Sequence, residues 1–191
     1  MLVDRIGSLM AAVLVLLFAE AVAAQWVDHS YTDKITDAVE HRIVVEDARN
    51  IFVTRRFGLY CTPPKSEGAR ATGGYYMNFG GDVATGAHTV LIRIDKGQVH
   101  EFDLEGSIPM GMNRGLEENQ STGFWMDGDY YGRKYGEDAM FAVIKEIAGG
   151  KEMTVRVKTE RGNIDITSNI EGFEPAFVRV MTACDPSSVT K

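Results

Sequence analysis

From Val39 the chain alternates. Val39, His41, Ile43 and Val45 fall on one face of an extended backbone and Glu40, Arg42 and Val44 on the other, which is the period of a half-buried strand. His41 goes with the apolar set, as a core or rim histidine. A second strand is expected over 56–61, with Phe57, Leu59 and Cys61 together. Thr62-Pro63-Pro64 stops it, because proline has no N–H for a ladder and restricts the residue before it. After a loop at 65–74, Tyr75, Met77 and Phe79 alternate again. The run Thr89-Val90-Leu91-Ile92-Arg93-Ile94 is the most β-prone in the chain, and with 99–104 it predicts a hairpin turning at Lys96-Gly97. Val90, Ile92, Ile94, Phe102 and Leu104 would face the core.

Periodicity then lapses. The stretch 105–123 is glycine-rich and polar, with Met110, Met112 and Leu116 at no regular spacing, and predicts a long mobile excursion. Phe124-Trp125-Met126 is apolar, and 127–136 reads as a polar turn. The last third is clearer. A helix starting near 136–138 carries the stripe Met140, Phe141, Ile144, Ile147 and Ala148 and ends at Gly149-Gly150. Strands follow at 152–159 and 164–170, joined by a tight turn. A final helix has Pro175 near its start, where the missing N–H costs little, and the inner stripe Ala176, Phe177, Val180, Met181 and Cys184. The whole predicts a mainly β protein, an antiparallel β-sandwich or flattened barrel with two helices in its C-terminal half.

At 191 residues the chain suits one domain with its own core. The first 24 residues change the picture of where it works. Arg5 precedes an apolar run that ends in Ala21-Val22-Ala23-Ala24, the pattern of a cleaved secretory leader. The run is well short of the roughly 20 residues that span a bilayer, so a leader over 1–24 and a single domain over 25–191 are expected, with no membrane span after cleavage. Export to the periplasm or beyond is an oxidising fate. The two cysteines, Cys61 and Cys184, are then expected to form one disulfide. A net charge of -7 argues against nucleic acid and anionic membrane as partners, while a protein partner, a basic one included, suits it.

Little reactive chemistry is spaced for use. His29, His41, His88 and His100 make no metal-ligand spacing, and no Ser-His-Asp or Cys-His arrangement stands out, so no catalytic residue, metal or cofactor is expected. Gly106 to Gly115 lacks the lysine and the strand-to-helix setting of a phosphate loop. Asp127-Gly128-Asp129 with Glu137 and Asp138 is the densest acidic group, but aromatic and basic residues stand where a calcium loop needs oxygens. Trp125, Tyr130, Tyr131 and Tyr135 remain as the candidate binding residues, since aromatics give contact surfaces large area at small entropic cost.

The order of several marks carries a resemblance. Trp26 near the expected mature start, Leu59-Tyr60-Cys61 closing a strand, Arg93-Ile94-Asp95, and a Gly172-Phe173 helix ending at Cys184 resemble the type VI secretion-associated VasI-like proteins, and more loosely the invasion-associated locus B family. The resemblance implies a small periplasmic β-sandwich, accessory to a secretion or envelope machine, with no catalytic residues to carry over. The expected function is therefore that of an exported, non-catalytic binding or accessory protein. Two alternatives stand beside it. One is an inhibitor of a lysozyme-like or other basic enzyme, with the 105–123 stretch as its plug; the other is a cell-wall hydrolase using a carboxylate pair.

Overall fold

The computed structural model describes residues 26–47, 53–66, 69–111 and 116–184. The expected leader lies outside the described residues, as do 112–115 of the expected excursion. In chain order the elements are β1 (Val27–Asp28), β2 (Tyr31–Thr32), β3 (Val39–Glu46), β4 (Arg56–Thr62), β5 (Thr72–Asn78), β6 (Ala84–Thr85), β7 (Thr89–Ile94) and β8 (Val99–Asp103). Then come β9 (Ile108–Met110), β10 (Gln120–Ser121), β11 (Gly123–Asp127), α1 (Gly128–Tyr135), α2 (Glu137–Gly149), β12 (Glu152–Thr159), β13 (Gly162–Asn169) and α3 (Phe173–Cys184).

Every pairing is antiparallel. A seven-stranded sheet runs β1-β3-β4-β5-β11-β9, with β2 added to β3, and a four-stranded sheet runs β13-β12-β7-β8. A short ladder joins β6 to β10. The expected hairpins are present: Thr89 pairs with Asp103 and Val90 with Phe102, and Thr159 pairs with Gly162 across a two-residue turn. Alternation sends Ile43, Val45, Phe57, Leu59, Tyr75, Met77, Phe124 and Met126 inward from the large sheet. They share one core with Val90, Ile92, Met153, Val155, Val157 and Ile166 of the small sheet. Polar bonds close one side of the sandwich, where Arg55 donates to the Asp165 carbonyl at 2.7 Å and to Asp82 at 3.0 Å, and Ser168 donates to the Glu46 carbonyl.

Among the described residues there are three helices, not two. The segment expected to be a polar turn is α1. Asp127 accepts from the Tyr130 N–H at 2.8 Å as its N-cap, Asp129 lies in the first turn, and Arg133 and Lys134 lie in the last, as the helix dipole favours. In α2 the expected stripe holds at Met140 and Ile147, with Ile144 half-buried, and fails at Phe141 and Ala148. Met140, Val143 and Ile147 are buried, whereas Phe141 is 58% exposed and Ala148 is exposed. The 105–123 stretch is likewise not a free excursion. Ile108–Met110 pairs with β11, and the buried Ser121 hydroxyl accepts from the Met110 and Gly123 N–H groups at 3.1 Å each.

Cys61 and Cys184 form the expected disulfide, across a separation of 123 residues. It pins the end of α3 to β4. At the start of the domain, the Trp26 indole donates to the Ile170 carbonyl at 3.1 Å and packs on Phe173, so the first described residue is fixed to the approach to α3. No helix among the described residues is long and apolar enough to cross a membrane.

Candidate functional site

Alternation in β11 decides what Trp125 does. Phe124 and Met126 face the core, so Trp125 stands on the outer face of the seven-stranded sheet, in a row with Tyr76 and Ile108 on the strands beside it. Gly58 continues the row on β4 and carries no side chain there. Arg42 reaches across that space: its guanidinium lies 4.3 Å from the centre of the Tyr76 ring and 4.4 Å from that of Trp125. Glu40 accepts from the same guanidinium, at 3.1 Å from Nε. Tyr60 meets Trp125 edge-on with 4.9 Å between ring centres, and Tyr76 lies 4.7 Å from Trp125. Burial raises the pKa of the Tyr60 phenol, and the negative charges of Asp127, Glu40 and Asp129 raise it further. The platform is thus aromatic at its centre and acidic around Tyr60. Ile108, 62% exposed, extends it toward the sheet edge.

The tyrosines of α1 belong to a different group of rings. Tyr131 is wholly buried, with its hydroxyl donating to the Asp103 carbonyl at 2.7 Å, and its ring lies 6.1 Å from both Phe102 and Tyr135. Tyr130 packs over Gly106, where an added Cβ would stand 2.4 Å from the ring. Tyr135 is partly exposed; its hydroxyl donates to an Asp103 carboxylate oxygen and accepts from the Asp103 N–H at 2.9 Å. The four aromatics singled out from the sequence therefore split, with Trp125 on the sheet face, Tyr131 and Tyr135 seating α1 on the end of β8, and Tyr130 seating it on the turn at Gly106.

A cleft of about 550 Å³ opens where α1, α2 and α3 meet the ends of β4 and β5. Leu59, Ala71, Met140, Ile144, Phe177 and Val180 contribute to an apolar lining, and Phe141 projects at its margin. Tyr75 lines it too, with its hydroxyl spent on the Met140 carbonyl at 2.9 Å. The charged residues of the lining are Arg70, Arg133 and Asp129. Neither arginine makes a hydrogen bond or ion pair with another of the described residues. Sequence reasoning placed Asp129 in a turn and did not single out the arginines, because three separate segments build this cleft.

Acid–base groups are placed for structure. His100 pairs with Glu146 at 3.0 Å and His88 with the Thr89 hydroxyl at 2.8 Å. Lys134 neutralises Asp103 and Glu105, at 2.7 and 2.9 Å. Among the described residues no group of three or more His, Cys, Asp or Glu side chains is arranged to hold a metal ion. Asp129 is the one carboxylate among the described residues lining the large cleft, where a glycosidase pair would need two. Comparison of the chain with protein-family models, with curated proteins and with solved structures finds no match in any of the three.

Proposed function

We propose that this is an exported binding or accessory protein that acts by non-catalytic contact with another protein, through the outer face of its seven-stranded sheet. One observation supports the reading above the others: Trp125, Tyr60 and Tyr76 cluster around a stacked Arg42 on the outer face of the sheet, where Trp125 and Tyr60 keep part of their surface exposed. Tryptophan, tyrosine and arginine are the residues in which interface binding energy concentrates, and a rigid sheet presents them without an ordering cost. Glu40, Asp127 and Asp129 around Tyr60, on a chain of net charge -7, suit a basic partner. The resemblance to VasI-like and invasion-associated locus B proteins is in keeping with an accessory role at a bacterial envelope, with the periplasm as the compartment.

The test is capture from the native envelope by cross-linking, comparing the wild type with Trp125→Ala/Tyr60→Ala. Loss of the cross-linked partner, with the circular dichroism of the variant unchanged, is expected. Retention of every partner by the double variant overturns the placement. An enzyme inhibitor would use the same acidic platform in place of the 105–123 plug, because 108–110 is held in the sheet. Undiminished lysozyme activity at a molar excess of this protein removes that alternative.

A further inference from the structure

We infer that the cleft between α1, α2, α3 and the ends of β4 and β5 is a binding site for an amphiphile with a single acyl chain and an anionic head, of the fatty-acid type. Its volume of about 550 Å³ falls within the span of roughly 300 to 1,000 Å³ that small-molecule sites occupy. The apolar lining is hydrocarbon and thioether: Leu59, Met140, Ile144, Phe177, Val180 and Met181, on three different elements. Methionines adapt to a flexible chain, and Phe141 holds a ring in water at the margin that such a chain would cover.

Charge decides the head group. In a chain with 27 acidic and 20 basic side chains, this lining reverses the balance, setting Arg70 and Arg133 against Asp129 alone. Both arginines are free of partners among the described residues, so their guanidinium donors are available for a carboxylate or phosphate oxygen. Arg133 also lies in the last turn of α1, held by the helix beneath it. Hydrogen-bonding capacity argues for an acyl chain over a peptide. Apart from the three charged residues and the committed Tyr75, only Tyr60 and Thr72 bring polar side chains to the lining. A peptide laid along the cleft would strip water from backbone amides that find few replacements, whereas an acyl chain has none to lose.

Cis-parinaric acid, a fluorescent fatty acid, tests the site in the oxidised protein. Saturable binding of one per chain is expected, reversed by palmitate and not by hexadecyltrimethylammonium, which has a chain of the same length and the opposite charge. Arg70→Gln/Arg133→Gln should weaken binding about tenfold or more. Met181→Trp, which narrows the cleft, should abolish it, with thermal melts confirming that both variants fold. Equal displacement by the cationic amphiphile, wild-type affinity in the double glutamine variant, or capture of a leucine-rich acidic peptide in preference to palmitate overturns the inference. Trp125→Ala/Tyr60→Ala loses the protein partner by the sheet-face reading, while Trp125→Ala alone leaves parinarate binding intact, so the two readings fail separately.

Discussion

Lys134 ties α1 by charge to the end of β8 and the turn after it. Its ammonium meets Asp103 and Glu105, and hydrogen bonds to both hold its pKa above the ordinary lysine range. Burial pushes the Asp103 carboxyl up, but hydrogen bonds from Lys134 and Tyr135 outweigh it and leave its pKa lowered. A lowered carboxyl pKa stabilises the fold above the unfolded value near 3.9, and the contribution fades as pH falls through the folded value. A raised lysine pKa stabilises below about 10.4 and fades as pH rises through the folded value. The clasp is therefore whole between about pH 5 and pH 10 and opens at both extremes. Lys134→Met should lower Tm by about a degree or two at pH 7, with the difference from wild type shrinking toward zero near pH 2. A constant difference at every pH would show that the side chain acts through packing alone. At this scale the tyrosines were the hardest residues to place from sequence. Tyr131 sits among Gly, Asp, Arg and Lys, and the Asp103 carbonyl, 28 positions away, with the Glu105 carbonyl behind it, explains how its hydroxyl can be buried. Trp125 was more legible, since its neighbours Phe124 and Met126 in a strand require it to face the other way.

At the scale of elements, legibility followed length. Strands β3, β7, β12 and β13 have six to eight residues, enough for the alternation to declare itself. Strands β9 and β10 have three and two residues and owe their existence to partners in β11 and β6, which no local pattern encodes. Helix α1 was hidden for another reason. Gly128 and Gly132 and the Asp-Gly-Asp sequence weaken its intrinsic propensity, and it is stabilised by the Asp127 cap and by Tyr131 and Tyr135 stacking one turn apart. Gly106 matters to that packing. It holds φ at 77° beneath the Tyr130 ring. Gly106→Ala adds both left-handed strain and a steric clash, and should cost about 1–3 kcal/mol in chemical denaturation. A variant as stable as wild type would mean that Tyr130 can leave its place freely. The outer-face platform was partly legible through Trp125; Arg42 and Tyr60 became part of it only once β3, β4, β5 and β11 were set side by side.

For the molecule as a whole, the disulfide is the largest single constraint. A bridge closing 123 residues is worth about 4–5 kcal/mol in the loop-entropy view. Cys61→Ala/Cys184→Ala should lose about that much stability, and a red shift of tryptophan emission should accompany release of α3 from the Trp26–Phe173 contact. Loss of less than about 1 kcal/mol would show that α3 is held by its apolar stripe alone. The architecture was readable because two cysteines admit one pairing and the long strands carry a two-residue period. The cleft was not, since its arginines come from a loop and a helix separated by the rest of the large sheet.

The Trp26 contact sets a schedule as well as a position. The residue that seats this indole, Ile170, lies 144 positions further along the chain, and the cysteine that completes the bridge comes later still. A polypeptide delivered amino end first cannot settle its beginning until its end has arrived. Strands can pair as they emerge, but the terminal locks engage only after delivery is finished. Truncation after β13 would therefore leave the opening residues with nowhere to dock.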